Sequence, residues 1–129
     1  MTLAPEPTTT GRDTAVVEVR LADGWFGVCP RSALVPGRGV AVLLPDGTQA
    51  AVFTDRAGHP YAVGNRDPFT GAYVLSRGLL GTADGTPFVS SPLLKQRFAL
   101  TTGHCLDDPE VTVPAYTCRT TPGHGPEDG

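Results

Sequence analysis

Residues 40–54 read VAVLLPDGTQAAVFT, and this stretch decides the fold. Two apolar runs rich in β-branched residues flank the pair Asp46-Gly47. Both of these residue types tolerate the positive φ that a tight hairpin turn requires. The stretch therefore predicts two antiparallel strands, over 40–44 and 50–54, joined by a short turn.

Short strands alternate with turn residues along most of the remaining chain. Residues 30–35 predict one helical turn, and residues 64–87 predict an irregular segment rich in glycine. The last predicted strand is expected to pair with the sheet that contains the first. About eight to ten short strands with frequent turns favour an all-β fold, an antiparallel sandwich or small barrel. Outside the hairpin, the predicted strands are 15–19, 61–63, 88–90, 96–100 and 116–119.

The bulk properties argue against several classes of protein. The chain has 129 residues, a formal net charge of −3 and a pI near 5.5. Such a length fits one domain with its own core, and such a charge does not favour nucleic acid or a membrane surface as partner. No apolar run approaches the roughly 20 residues of a membrane helix. The N-terminus lacks the pattern of a secretory signal, so a cytoplasmic protein is expected.

Composition divides the chain into three parts. Residues 1–13 are rich in proline and threonine and predict a disordered arm. Residues 14–119 hold the predicted strands and are expected to form the folded domain. Residues 120–129 are rich in glycine, proline and acidic side chains and predict a flexible tail.

The three cysteines predict neither a disulfide framework nor a metal site. Cys29, Cys105 and Cys118 are odd in number and irregular in spacing. Cys29 and Cys118 are instead expected to be small buried apolar residues. No nucleophile, base and oxyanion donors assemble in the sequence, so no catalytic residue and no cofactor ligand is predicted.

Two segments carry the most specific pattern in the chain, YAVGNRDP at 61–68 and SPLLKQRFALTTG at 91–103. Together they resemble the two cluster-binding loops of Rieske iron–sulfur domains. That family reads Cys-x-His in the first loop and Cys-Pro-x-His in the second, followed by a Phe-x-Leu-x-Thr-Gly hairpin. Its four ligand positions are filled here by Asn65, Asp67, Ser91 and Leu94.

A Rieske [2Fe–2S] cluster needs two thiolates on one iron and two imidazoles on the other. The four side chains present here supply neither. The resemblance therefore implies a Rieske-like all-β domain, with a hairpin-loop subdomain, that lacks the metal and has a docking or structural role.

Four further motifs narrow the resemblance. The chain carries, in this order, NRDPFTG at 65–71, LSRG at 75–78, SSPLLKQ at 90–96 and CLDDPEV at 105–111. They resemble the small subunits of bacterial assimilatory NAD(P)H-dependent nitrite reductases. One departure is Leu94, which stands where an aromatic or polar residue is expected in that family.

This resemblance implies a role and a partner. The chain is expected to be a non-catalytic accessory subunit without a cofactor of its own. Its expected partner is a large subunit that carries FAD, sirohaem and a [4Fe–4S] cluster. That partner would reduce nitrite to ammonium with electrons from NADH or NADPH.

The loop residues suggest how such a subunit docks. Asn65 and Asp67 are predicted to hold the first loop through side-chain hydrogen bonds to the backbone while Arg66 projects. Lys95 and Arg97 are predicted to share one face of a strand. The candidate docking residues, which would form a basic patch if they are not simply solvated, are Arg66, Arg77, Lys95 and Arg97.

Leu94 is predicted to fill the space that a cluster would occupy. Full burial of a leucine side chain stabilises a domain by roughly 1.5–3 kcal/mol. The sequence therefore predicts apolar packing between the two loops where the Rieske family has metal.

Two other functions remain open from the sequence. The first is a Rieske-type electron carrier with unorthodox ligands, which would be brown and contain stoichiometric iron. The second is a regulatory or binding module unrelated to nitrite.

Overall fold

The chain folds into short antiparallel strands. A computed structural model describes residues 15–122. Two single turns of 3₁₀ helix, Arg31–Ala33 and Leu75–Arg77, are the helical elements of this range, and neither is long or apolar enough to cross a membrane. The strands are β1 (Val16–Leu21), β2 (Gly24–Pro30), β3 (Val40–Leu43), β4 (Gln49–Thr54), β5 (Pro60–Gly64), β6 (Leu79–Ala83), β7 (Thr86–Ser90), β8 (Arg97–Ala99), β9 (Ala115–Tyr116) and β10 (Cys118–Thr121).

The strands form three antiparallel sheets. The first sheet has the order β10–β1–β2, the second β3–β4–β5–β9 and the third β6–β7–β8. The predicted hairpin joins β3 to β4, where the Asp46 carboxylate accepts hydrogen bonds from the Thr48 N–H at 2.9 Å and the Thr48 hydroxyl at 2.6 Å. The prediction of an all-β antiparallel fold is confirmed.

Strand β4 is buried on both faces and contributes to two cores. Side chains alternate between the two faces of a strand. Ala50 and Val52 therefore pack in the first core with residues of the first sheet, and Ala51 and Phe53 pack in the second core with residues of the third sheet. Burial on both faces explains why residues 50–53 are apolar without alternation. The first core also contains Val17, Val19, Leu34, Leu44 and Ala62, and the second Val63, Leu75, Val89, Phe98, Leu100, Cys105 and Val113.

Two of the strands were not predicted from the sequence. β2 was not predicted, and β6 lies inside the segment 64–87 that was predicted to be irregular. The turn from β6 to β7 is Asp84-Gly85, with φ of 51° and 82°. An Asp-Gly pair at positive φ is a strong hairpin signal, so the sequence did contain the information.

The end of the chain also differs from its prediction. The single strand predicted over 116–119 is divided, because β9 pairs with β5 and β10 pairs with β1. β10 runs to Thr121, so Thr120 and Thr121 belong to a strand rather than to the predicted tail. The predicted arm, 1–13, and the tail beyond residue 122 lie outside the described residues.

We expect Gly103→Ala to destabilise the domain more than Gly85→Ala. The two glycines have nearly the same φ, +81° and +82°. An alanine at either position therefore incurs the same left-handed backbone cost of about 1–2 kcal/mol. A Cβ at position 103 would also clash with the Val113 carbonyl oxygen, whereas position 85 has open space.

Urea unfolding of both variants measures the difference. The Gly103→Ala variant should lose at least about 1 kcal/mol more than the Gly85→Ala variant, since backbone must move to admit the methyl group. Equal losses would contradict the close approach of residues 103 and 113.

Candidate functional site

The two Rieske-like loops meet through one buried hydrogen bond. The first loop, residues 65–72, follows β5, and the second, residues 91–96, joins β7 to β8. The Ser91 hydroxyl donates to Asp67 Oδ2 at 2.6 Å, and both side chains are 0% exposed. A hydrogen bond to a carboxylate is roughly twice as strong as a neutral one, and exclusion of water strengthens it further. This bond ties the loops together.

Asp67 and Asn65 also hold the first loop in shape. The second Asp67 oxygen, Oδ1, accepts the Phe69 N–H at 2.8 Å. Asn65 donates from Nδ2 to Gln49 Oε1 at 2.9 Å and accepts the Ser76 N–H on Oδ1 at 2.8 Å. These bonds connect the loop to β4 on one side and to the second 3₁₀ turn on the other.

The second loop is a tight turn that closes on Ser91. The Ser91 N–H donates to the Gln96 carbonyl at 2.8 Å, and the Ser91 carbonyl accepts the Lys95 N–H at 3.1 Å. Lys95 has φ +70°, a conformation that costs a non-glycine residue about 1–2 kcal/mol. Leu93 and Leu94 lie at the outside of this turn, 49% and 54% exposed.

The prediction that Leu94 is buried is wrong. The space between the loops holds the Ser91 and Asp67 side chains instead. Phe69 fills the adjoining space, with its ring centroid 6.2 Å from that of Phe98 in the second core. Because polar groups close the gap with a hydrogen bond of their own, no apolar side chain is needed there.

The residues at the four ligand positions do not fit a [2Fe–2S] cluster. An amide, a carboxylate, a hydroxyl and a leucine stand where two thiolates and two imidazoles are required. The three polar side chains are already engaged in hydrogen bonds within the protein. Within residues 15–122, no three His, Cys, Asp or Glu side chains converge as a metal site.

All three cysteines are free thiols. Cys105 is the buried one, in the second core, whereas Cys29 and Cys118 are half-buried in the first sheet, contrary to the prediction for these two. Burial raises the pKa of the Cys29 thiol. The pKa of Cys118 is raised to about 12, mainly by burial and to a smaller extent by the nearby Cys29. Thiols that ionise so reluctantly are poor nucleophiles and poor metal ligands at neutral pH.

The prediction that Lys95 and Arg97 share one strand face is also wrong. Lys95 lies in the second loop, whereas Arg97 begins β8. Arg97 pairs with Asp107, Nη2 to Oδ1 at 2.7 Å and Nε to Oδ2 at 3.2 Å. Its guanidinium also lies 5.5 Å from the centroid of the Phe88 ring. Arg97 therefore links β8 to the following segment and is not a free cation.

Three of the four candidate docking cations lie at the surface without a carboxylate partner among the described residues. Arg66, Arg77 and Lys95 are exposed and form no ion pair within the described range. Arg77 ends the second 3₁₀ turn, whose Ser76 is bonded to Asn65 of the first loop.

The same two loops and the segment after the first one also expose apolar side chains, and this exposure was not predicted from the sequence. Tyr73, 54% exposed, pairs through its backbone with Arg66 in the first loop. The exposure of Leu93 and Leu94 could have been predicted from the sequence, because the run Pro92-Leu93-Leu94 lies between two predicted strands rather than inside one. We call the set Arg66, Tyr73, Leu93, Leu94 and Lys95 the loop-tip surface.

Removal of the Ser91 hydroxyl should destabilise the domain. In Ser91→Ala, Oδ2 of the buried Asp67 loses its partner, which costs about 1–3 kcal/mol. The matched control is Ser90→Ala, because the Ser90 hydroxyl donates to the Lys95 carbonyl at 3.2 Å in an exposed position. Its loss should cost about 0.5 kcal/mol or less in the same urea unfolding experiment. Equal stability of the two variants would show that the buried bond does not hold the loops.

The pKa of Asp107 should depend on Arg97. Hydrogen bonds from the Arg97 side chain, and then from its backbone N–H, hold the pKa of Asp107 below its ordinary value. A carboxyl of this kind adds stability above its ordinary pKa, and that stability is lost as pH falls through the lowered folded-state value. Arg97→Gln should therefore move the pKa of Asp107 upward.

An NMR titration that follows the side-chain carboxyl carbon of Asp107 measures this shift. Asp46 is the internal control, because hydrogen bonds from Thr48 lower its pKa instead. Its titration curve should stay the same in Arg97→Gln. An unchanged curve for Asp107 would contradict the role assigned to the ion pair.

Comparisons with known proteins agree with the geometry of the loops. The sequence model of the Rieske-like [2Fe–2S] domain matches residues 24–124. The nitrite reductase (NADH) small subunit of Salmonella typhimurium is 40% identical over 100 residues, which are 77% of this chain and 92% of that one. A crystal structure from Mycobacterium tuberculosis, described as an NADH-dependent nitrite reductase small subunit, is 48% identical with a TM-score of 0.70 and covers 89% of this chain and 91% of its own.

One further relative carries the same domain inside a much longer protein. The nitrite reductase NAD(P)H large subunit of Klebsiella oxytoca is 40% identical over 100 residues, which are 77% of this chain but 10% of that one. Since the matched family, the small-subunit relatives and the fold all coincide over the region that contains the two loops, this chain belongs to the Rieske-like domain family and, within it, to the nitrite reductase small subunits.

Proposed function

We propose that this chain is a non-catalytic accessory subunit that docks on the large subunit of an NAD(P)H-dependent nitrite reductase through its loop-tip surface. The observation that carries the proposal is the buried bond between Ser91 and Asp67. It holds both loops in place without a cluster and leaves their outer residues free to contact another protein.

The Klebsiella oxytoca relative supports the choice of partner. There the domain is part of the large chain, so the two units stay at high effective concentration throughout the life of the protein. When the two units are separate chains, they associate only if a surface between them gives sufficient affinity. The loop-tip surface offers one.

The chemistry of that surface defines what the partner presents. Leu93 and Leu94 are adjacent, and each is about half exposed. In an interface, their side chains are best covered by apolar groups of the partner. Lys95 follows the two leucines directly in the second loop and Arg66 lies in the first loop, and neither cation forms an ion pair with a described residue, although the whole chain carries −3. The partner surface is therefore an apolar patch with acidic residues at its rim.

The redox chemistry belongs to the partner in this proposal. The large subunit carries FAD, sirohaem and a [4Fe–4S] cluster and reduces nitrite to ammonium with NADH or NADPH. The assembly is cytoplasmic, which agrees with three cysteines that are all free thiols. This chain stabilises the large subunit or shapes access to it and has no ligands to offer a cluster.

Charge reversal at the loop tips tests the proposal. The double variant Arg66→Glu and Lys95→Glu should bind the co-expressed large subunit at least about tenfold more weakly, a loss of about 1.4 kcal/mol. The control is Arg38→Glu, an exposed arginine in the segment before β3, outside both loops. Titration calorimetry with the purified partner gives both affinities, and unfolding curves show whether the fold is intact.

Normal binding by the folded double variant would refute docking through the loop tips. Capture of no large flavin- and sirohaem-containing chain by the wild type would refute the assignment of the partner. An iron assay on the isolated chain separates the electron-carrier alternative, since stoichiometric iron with visible absorption would contradict a subunit without a cluster.

A further inference from the structure

A second surface feature lies at the far end of the second sheet. Strand β4 begins at Gln49, which bonds to Asn65 of the first loop, and ends at Thr54. Six strand residues span roughly 20 Å. Beside Thr54 is a cavity of about 280 Å³ whose lining includes Arg31 and Arg56. It is therefore separate from the loop-tip surface.

Backbone hydrogen bonds fix the two turns that carry these arginines beside the cavity. The backbone N–H of Arg31 donates to the Ala15 carbonyl at 2.9 Å, which fixes the start of its 3₁₀ turn. Its guanidinium lies against Gly58, where an added Cβ would be 2.9 Å from Nη2. Arg56 belongs to the turn that Gly58 closes through a bond to the Asp55 carbonyl at 3.0 Å. Neither arginine forms an ion pair with another described residue.

One carboxylate lines the same cavity, and its oxygens are already used. Asp55 Oδ1 accepts the His59 N–H at 2.9 Å, and Oδ2 accepts the Tyr61 hydroxyl at 3.3 Å. The bond from the His59 backbone is the main cause that lowers the pKa of Asp55, so this group is ionised near neutral pH. Two positive charges and one negative charge leave the cavity with a net positive charge.

A second cavity continues the first toward an apolar region. Its volume is about 370 Å³, and it shares Pro36, Thr54, Asp55 and Arg56 with the first. Its remaining walls are mainly apolar and aromatic, with Leu100 almost fully buried beneath. These walls include Tyr61, Leu80, Pro87 and Leu100. We call the two cavities together the basic groove.

We propose that the basic groove binds a small molecule in which an oxyanion, a phosphate or a carboxylate, is attached to an apolar or planar body. Arginine guanidinium groups hold such oxyanions with paired, charge-assisted hydrogen bonds. The Ser32 hydroxyl, which also lines the cationic end, adds a neutral donor. The body of the ligand then packs along Tyr61, Leu80 and Leu100, since small-molecule sites combine apolar walls with a few polar groups.

Amide NMR of the full chain tests the proposal with three probes. Inorganic phosphate supplies the oxyanion alone, AMP a phosphate on a planar body, and benzoate a carboxylate on a planar body. AMP or benzoate should cause saturable shifts at Ser32, Arg56 and Gly58, with a Kd on the order of 1 mM or lower. The one that binds more tightly identifies the source of the oxyanion.

Variants assign the binding to the two arginines. The double variant Arg31→Gln and Arg56→Gln should weaken the tighter probe at least about tenfold while the dispersion of its amide spectrum stays native. The matched control is Arg38→Gln, which is exposed nearby but lines neither cavity. Its affinity should equal that of the wild type.

Three results would overturn the proposal. The first is the absence of saturable shifts with every probe. The second is equal affinity for inorganic phosphate, AMP and benzoate, because the apolar half would then contribute nothing. The third is unchanged binding in a well-folded Arg31→Gln and Arg56→Gln variant. None of these results bears on docking through the loop tips.

Discussion

The hydrogen bond from Ser91 to Asp67 is the contact on which the arrangement of the two loops depends. In a Rieske domain a metal cluster joins two loops that are distant in sequence. Here a hydroxyl and a carboxylate, both withdrawn from water, make that connection at 2.6 Å. A charged acceptor without water needs a good donor, so the two residues constrain each other strongly. The fold thus joins the two loops without any of the ligands that a Rieske cluster requires.

The middle sheet connects the two loops to the cores of the domain. β4 contributes to the cores on both of its sides, and its first residue, Gln49, bonds to Asn65 of the first loop. The loop is therefore attached to the most deeply buried of the strands within residues 15–122. Loops supported in this way can present exposed side chains in one fixed arrangement, which lowers the entropy lost when a partner binds.

The two proposed surfaces differ in their partners because they differ in composition. The loop-tip surface carries exposed leucines and cations on two loops, and such a surface fits another protein. The basic groove is concave, with arginines at one end and apolar walls at the other, and fits a small molecule. Because the two surfaces lie at opposite ends of β4, the two proposed binding events would not compete for the same residues.

The sequence by itself determined the features that neighbouring residues encode. Asp46-Gly47 specified its hairpin, and the side chains at the four ligand positions showed that a Rieske cluster has no suitable ligands, since both depend only on local residue chemistry. The tertiary structure alone decided that Leu94 is exposed and that Arg97 pairs with Asp107. Those outcomes depend on contacts between residues that are ten or more positions apart in the sequence. No local sequence pattern shows which of these residues will lie next to each other in the folded chain.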